Sequence, residues 1–179
     1  YSWSMLKKVT LTAGNGMMPS YDSSSYRYLP WYNSSVKNIT IEEGVTNIGN
    51  YAFYNLSSLT NISLPSTIET IGASSFKYTG LESIVLPNGV STIGIEAFMS
   101  CPLSYIVIPK TVTSIGYEAF YGCNIKDVYY VGTSEDWDNI SINDQNNNNE
   151  PLKTATRHYV TFTYNNDATC TEAGTKTMH

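Results

Sequence analysis

The chain has 179 residues, a length that suits one domain or one domain and a fragment, and its 10 basic and 15 acidic side chains give a net charge of −5. No cluster of Lys and Arg forms a basic stripe, so nucleic acid is excluded as a partner. No apolar run reaches the roughly 18 residues of a membrane-spanning helix, so we expect no membrane insertion by this segment.

Residues 1–35 are predicted to form an N-terminal β cap. Apolar and polar residues alternate on both sides of a break at 6–8, and this pattern predicts a hairpin that contains Trp3, Met5, Val9 and Leu11. A turn at Gly14–Gly16 and a loop rich in Ser and Tyr over Ser20–Tyr28 follow. The rings of Trp31 and Tyr32 are then predicted to cover the first of a series of repeats.

Residues 36–131 repeat one sequence pattern every 22 or 23 residues. Each copy has an Ile-Gly pair and then a Phe; the Ile residues are Ile48, Ile71, Ile93 and Ile115, and the Phe residues are Phe53, Phe76, Phe98 and Phe120. A period in this range is the signature of a solenoid of stacked turns. We expect about four turns and a final strand, with every Phe facing inward.

Each turn is predicted to contain one short strand and little helix. Ile84 and Leu86 alternate with Ser83 and Val85, which is the period-two pattern of a strand, and Pro87 ends it because proline has no amide to donate. Equivalent strands of successive turns must then pair in parallel, about 4.8 Å apart. One turn cannot bury enough apolar surface to fold alone, so both ends of the stack need caps.

Residues 132–164 are predicted to form the C-terminal cap. Hydroxyl residues at 133–134 followed by Glu135 and Asp136 predict the N-terminus of a short helix that lays Trp137 over the last repeat. Residues 143–149 read as a polar loop, and residues 152–164 as a strand that pairs near the cap. Residues 165–179 are interpreted as the remnant of a following module.

The repeat unit resembles a known family. The copy LSYIVIPKTVTSIGYEAFYGC, residues 103–123, is similar to the repeats of the BspA-like leucine-rich repeat family of bacterial surface proteins, and the resemblance covers residues 36–131. The flanking segments AGNGMMPSY, LPWY and YYVGTSEDWDNI also resemble that family. The resemblance implies a right-handed leucine-rich repeat solenoid, exported and held at the cell surface, that adheres to host matrix proteins or to other microbes.

No residue pattern in the chain predicts catalysis, a metal site or a cofactor. The two histidines, His158 and His179, lie in no catalytic motif, and the acidic residues lack the spacing of a calcium loop. Cys101 and Cys123 occupy one column about 5 Å apart, a spacing that permits a disulfide but that buried free thiols fit better. Any disulfide partner of Cys170 is expected to lie beyond His179.

The outward face of the predicted sheet is the candidate binding surface. Its later strands carry an apolar and aromatic patch, which consists of Val85, Tyr105, Val107, Asp127, Tyr129 and Val131. Tyrosine combines a large contact area with a polar tip and is enriched in recognition surfaces, although such residues also favour strands for their own sake.

We therefore expect a non-catalytic, monomeric binding or adhesion module of a larger secreted protein, whose partner is a host matrix or microbial surface protein. Two alternatives remain open from the sequence. One is a carbohydrate-binding module in which Tyr105, Tyr129 and the tyrosines of 21–32 stack on sugars. The other is a passive spacer that displays neighbouring domains.

Overall fold

The computed structural model describes residues 8–12, 16–32 and 34–160, which form a solenoid built mainly from parallel strands. Its helices are short: α1 spans Ser134–Asp138, α2 spans Glu150–Thr154, and two 3₁₀ turns span Tyr26–Tyr28 and Gln145–Asn147. The strands are β1 Lys8–Leu11, β2 Asn38–Ile41, β3 Asn47–Ile48, β4 Asn61–Ser63, β5 Thr70–Ile71, β6 Ser83–Val85, β7 Thr92–Ile93, β8 Tyr105–Pro109, β9 Ser114–Ile115, β10 Asp127–Val131, β11 Ser141–Ile142 and β12 Thr156–Tyr159.

The predicted parallel pairing of equivalent strands is confirmed, and we call the layer that these strands form the front sheet. It consists of two blocks, β1-β2-β4 and β6-β8-β10-β12, and all its pairs are parallel. The register places equivalent residues side by side, as with Ile84, Ile106 and Val128. The blocks are separated because β4 and β6 do not pair.

The predicted N-terminal hairpin is described only in part. Trp3 and Met5 fall outside the described residues, whereas β1 is described and pairs in parallel with β2. Lys8, predicted to belong to the break of the hairpin, is instead the first residue of β1. The described part of the cap thus extends the front sheet by one strand.

A second sheet, which the repeat pattern does not predict, runs along the solenoid. It contains β11-β9-β7-β5-β3, each only two residues long, and every neighbouring pair is parallel. The Ile of each Ile-Gly pair lies in this sheet and is buried, so the Ile column forms one wall of the core. Each turn therefore contributes two strands rather than one.

The predicted inward position of the Phe residues is confirmed. We call the segment from two residues before each Phe to one residue after it the Phe arc, so that the four arcs are 51–54, 74–77, 96–99 and 118–121. Phe53, Phe76, Phe98 and Phe120 are fully buried and stack with ring centroids 5.2–5.4 Å apart. The arcs also form a backbone ladder, since the amide of Phe76 donates to the carbonyl of Ala97 one turn later at 2.8 Å. Neighbouring turns are thus joined by the second sheet and the arcs and, except between β4 and β6, also by the front sheet.

The cysteine column consists of free thiols, as the interpretation from the sequence favours. Cys101 and Cys123 are both unpaired. Each thiol donates to the Phe carbonyl of the preceding turn, at 2.9 Å from Cys101 to Phe76 and 3.1 Å from Cys123 to Phe98. Burial, with a smaller contribution from Cys101, raises the pKa of Cys123 to about 12. The buried Cys101 and the half-buried Cys123 therefore act as hydrogen-bonding spacers rather than as nucleophiles.

Trp31 caps the first turn as predicted. Its ring lies 5.7 Å from that of Phe53, and its indole Nε1 donates to the carbonyl of Ala52 at 2.7 Å. In later turns the equivalent carbonyl accepts from the amide of the preceding arc, for example the carbonyl of Ala97 from Phe76. The indole therefore replaces the backbone donor that a preceding repeat would supply.

The C-terminal cap confirms the helix prediction and corrects the strand prediction. Thr133 caps α1 through a reciprocal pair of hydrogen bonds with Asp136, and Trp137 is buried with its ring 5.3 Å from that of Tyr130. The predicted strand over 152–164 was wrong at its start, because residues 150–154 form α2. Pro151 fits the first turn of a helix, and the buried Leu152 anchors it. The strand there is β12, and residues 161–164 fall outside the described part.

Asn149 closes the last Phe arc from within the segment predicted to be a polar loop. It is fully buried, and its Oδ1 accepts from the amide of Phe120 at 3.1 Å. Its Nδ2 donates to the carbonyls of Gly116 and Asn143 at 3.0 and 2.7 Å. The Oδ1 of Asn149 thus replaces the carbonyl that a following repeat would offer to the Phe amide, as Ala119 does for Phe98.

Candidate functional site

The structure brings the six residues of the predicted patch together on the outward face of the front sheet. Val85 comes from β6, Tyr105 and Val107 from β8, and Asp127, Tyr129 and Val131 from β10. The register sets Val85, Val107 and Tyr129 side by side in one row and Tyr105 beside Asp127 in the next. Alternate residues of β8 and β10 are buried, so these side chains point away from the core. We call this group the aromatic patch.

The aromatic patch is accessible to a partner. Val85 exposes 61% of its surface and Tyr105 exposes 40%. The Tyr105 and Tyr129 rings meet edge to face with centroids 6.2 Å apart. Edge-to-face contact is one of the preferred arrangements of a pair of aromatic rings.

His158 extends the patch, although the sequence indicates it only as an isolated histidine. It lies on β12 opposite Tyr129, and the two rings stack 4.7 Å apart at an interplanar angle of 16°. The rings of Tyr105, Tyr129 and His158 therefore follow one another across β8, β10 and β12, and we call them the row of rings. The alternation of β12 could not reveal this contact, because α1, β11 and α2 separate β12 from β10 along the chain.

A carboxylate gives the aromatic row a polar border. The Oδ1 of Asp127 lies 2.7 Å from Nε2 of His158, and both side chains are about 40% exposed. Protonated His158 would form an ion pair with this carboxylate, and neutral His158 can donate to it. The site thus combines flat rings, a carboxylate and a titratable imidazole within a few ångströms.

The geometry at His158 differs from that of a catalytic or metal centre. The described neighbours of the imidazole are a carboxylate and a tyrosine ring, and neither supplies the Ser or Cys nucleophile of a relay. Within residues 8–12, 16–32 and 34–160, no three His, Cys, Asp or Glu side chains lie close enough to hold a metal ion.

The tyrosines of the N-terminal cap form a separate cluster. Tyr26 packs against Tyr54 and Tyr51 of the first Phe arc, with ring centroids 4.5 and 6.2 Å apart, and meets Tyr32 at 5.5 Å. Tyr28 remains 84% exposed. These rings contact the arc of the first turn and not the later front strands, so the two sets of tyrosines in the carbohydrate hypothesis do not form one surface.

Stacked parallel turns, buried columns of Ile, Leu and Phe, and a cap at each end of the stack define a repeat solenoid of the leucine-rich type. The chain belongs to the BspA type leucine rich repeat region family, whose pattern matches residues 28–148 in 6 copies. Repeats of this type form protein-interaction or surface modules, and the family is typically found at bacterial surfaces. A comparison with curated proteins gives no match.

Solved structures of bacterial leucine-rich repeat proteins share the fold. A Treponema pallidum leucine rich repeat protein is 26% identical, with a TM-score of 0.53 over 63% of this chain and 51% of that one. A leucine rich cell surface protein from Faecalibacterium prausnitzii is also 26% identical, with a TM-score of 0.55 over 74% of this chain and 34% of that one. A Eubacterium ventriosum leucine-rich repeat protein is 23% identical, with a TM-score of 0.54 over 71% of this chain and 40% of that one. The chain thus spans about half or less of these proteins.

In the part of the chain that the structure describes, no helix has the length and apolar character needed to cross a bilayer.

Proposed function

We propose that this chain is a non-catalytic adhesion unit of a larger secreted bacterial protein, displayed outside the cell, which holds its ligand on the front sheet and the adjacent loops. The observation that carries the proposal is the aromatic patch, where Val85 and Tyr105 are exposed and Tyr105, Tyr129 and His158 form one row of rings. Its similarity to a protein described as a cell surface protein supports the location.

The size of the patch determines how it binds. Four strands about 4.8 Å apart and about 15 Å long offer on the order of 300 Å². A standard interface buries roughly 800 Å² on each partner. The strands of the patch alone therefore support a weak contact with a host matrix or microbial surface protein. Many copies on one surface raise its effective strength through local concentration.

The test is binding to immobilised matrix proteins and to microbial cells, with the chain presented in many copies on beads. The double variant Tyr105→Ala/Tyr129→Ala should reduce bead binding at least tenfold, because it removes both tyrosine rings of the row. Thr40→Ala on β2 is the matched control, since it truncates an outward side chain on the same face but outside the patch. Undiminished binding by the double variant would contradict the proposal.

A carbohydrate ligand is the second candidate, favoured by the three neighbouring rings of Tyr105, Tyr129 and His158 beside the carboxylate of Asp127. Flat rings suit the apolar face of a sugar, and the carboxylate can accept hydrogen bonds from its hydroxyls. A glycan array tests it: binding that is lost in both Tyr105→Ala/Tyr129→Ala and His158→Ala favours a sugar. A chain that binds neither glycans nor proteins would instead be a spacer.

The chain is expected to be a monomer, and analytical sedimentation at the concentration of the binding assays checks its oligomeric state.

A further inference from the structure

The front sheet opens between β4 and β6, although the turns that carry these strands are joined elsewhere. In the second sheet β5 pairs with β7, and the Phe arcs of the same two turns share the ladder bond from Phe76 to Ala97. The rings of Phe76 and Phe98 are 5.2 Å apart. The separation is therefore confined to the front strands.

One backbone hydrogen bond is missing between the residues that directly precede β4 and β6. The amide of Thr60 donates to Lys37, that of Ser104 to Glu82 and that of Lys126 to Ser104, at 3.1, 2.8 and 2.7 Å. The equivalent bond from the amide of Glu82 to the carbonyl of Thr60 is not formed. Both groups are thus left open at one end of the gap.

A backbone hydrogen bond is also missing at the other end of the gap. In the next pair of turns the amide of Leu86 donates to the carbonyl of Val107 at 3.0 Å. The equivalent bond from the amide of Leu64 to the carbonyl of Val85 is not formed. Two donors and two acceptors of the main chain therefore line the gap between the described strands β4 and β6 without bonding across it.

A change in repeat length coincides with the gap. From Phe53 to Ile62 the chain advances nine residues, whereas from Phe76 to Ile84 and from Phe98 to Ile106 it advances eight. The segment that enters β4 is therefore one residue longer than the segments that enter the later strands. We attribute the separation of β4 from β6 to this difference, because each front strand is positioned by the segment that leads into it.

The gap forms a groove of about 380 Å³ that combines apolar side chains with the open main-chain groups. Ile62 and Leu64 are half-buried in the groove, whereas their equivalents Ile84 and Leu86 are buried. No charged side chain lines it; the lining residues are Thr60, Asn61, Ile62, Ser63, Leu64, Ser83, Ile84, Val85 and Pro87.

We propose that this groove binds an extended, uncharged segment of a partner polypeptide. Such a segment offers alternating amide donors and carbonyl acceptors to strand edges, as in recognition by strand addition, and one apolar side chain would cover Ile62 and Leu64. A charged segment is disfavoured because the lining has no countercharge. The inference rests on the proposed binding role, and Val85 places the groove at the border of the aromatic patch.

The test uses the capped peptide acetyl-Ser-Ile-Val-Leu-Pro-amide, which copies residues 83–87, an uncharged segment that is extended in β6. Titration into ¹⁵N-labelled chain should give saturable shifts of the amides at 60–64 and 83–85. A peptide N-methylated at its Ile and Leu should bind at least tenfold more weakly, because these two amides face the same strand edge in an extended segment and can no longer donate to it. Absence of saturable shifts, or equal binding of the methylated peptide, would overturn the proposal.

Variants separate the groove from the aromatic patch. Ile62→Glu should raise the peptide Kd at least tenfold, and Ser63→Arg, which changes an exposed side chain and leaves the core intact, should do the same if Ile62→Glu proves unstable. Val107→Glu is the matched control, since it places the same charge on the patch, and it should leave the peptide Kd within twofold. A loss confined to Val107→Glu would place the peptide on the patch and reject the groove. Failure of every peptide measurement would leave the matrix-binding test of the patch unaffected.

Discussion

Two neighbouring serines in the second Phe arc should change stability in opposite directions when each is replaced by Ala. Ser75 is fully buried, and its hydroxyl has no hydrogen-bond partner in the described structure. Ser74 is also buried, but its hydroxyl donates to Oε2 of Glu96 at 2.9 Å. We therefore expect Ser75→Ala to stabilise the chain and Ser74→Ala to destabilise it.

The magnitudes follow from the cost of burying an unpaired polar group. An unbonded hydroxyl costs roughly 1–3 kcal/mol in protein interiors, so Ser75→Ala should raise the free energy of unfolding by about 1–2 kcal/mol. The other turns support this choice, since they have Ala52, Ala97 and Ala119 at the equivalent position. Ser74→Ala removes a hydrogen bond to a carboxylate and should lower the free energy of unfolding by about 1 kcal/mol.

Urea unfolding monitored by tryptophan fluorescence and circular dichroism measures both changes, provided that the slope against urea is the same in each variant. For a chain of this size, 1 kcal/mol corresponds to a shift in Tm of roughly 2–4 °C. Ala97→Ser is the reciprocal control and should destabilise by an amount similar to the gain from Ser75→Ala. A destabilised Ser75→Ala variant, or shifts of the same sign for both serines, would refute the reasoning.

Two further predictions concern the C-terminal cap and the pH dependence of stability. Asn149→Leu should lower the free energy of unfolding by roughly 2–4 kcal/mol in urea titrations, because the amide of Phe120 and the carbonyl of Asn143 lose the partner that Asn149 supplies; an unchanged midpoint would contradict the capping role. Burial raises the pKa of Glu96, but the hydrogen bonds from Lys77 and Ser74 outweigh it and hold that pKa below its ordinary value. The stability from the carboxylate is therefore present above about pH 4.3 and lost as pH falls through the lowered folded pKa. Glu96→Gln should show a shallower loss below that pH, and parallel stability curves would reject the assignment.

The repeated core could be predicted because each of its columns recurs in every turn. A column such as Phe53, Phe76, Phe98 and Phe120 identifies inward positions from one sequence, and the structure buries every member. The front strands also carry a local signal, since apolar residues at alternate positions before a proline indicate a short strand.

The second sheet and the C-terminal cap carry no comparable signal. Strands of two residues, such as Thr92–Ile93, are too short for alternation to show. They form because neighbouring turns align their backbones, not because of local preference. The asparagine run at 146–149 looks uniformly polar, yet Asn149 is buried, because only the fold places its amide beside the last arc. Pro151 was the available signal that α2 begins where a strand was predicted.

The residues of the candidate site that lie in the repeats could be predicted from the alternation of inward and outward positions, whereas the residue from the C-terminal cap could not. Tyr105 and Tyr129 were recognised as outward neighbours because they lie in adjacent repeats. His158 joins them from β12, which follows the cap helices and has no repeat spacing to align it. Contacts between a repeat and its cap are set by tertiary packing, which a periodic sequence does not encode.

The break between β4 and β6 also divides the front sheet by chemistry. Before it, outward positions are polar, with Asn38 and Asn61 joined by a side-chain hydrogen bond of 3.1 Å. After it they become apolar and aromatic, from the exposed Val85 to the ring of Tyr105. A partner that uses both halves would meet, in the proposed groove, open main-chain groups together with the apolar side chains of Ile62 and Leu64. The one-residue change in spacing thus coincides with the boundary between a polar and an aromatic half of the front sheet, whose side chains can differ in the ligands they select.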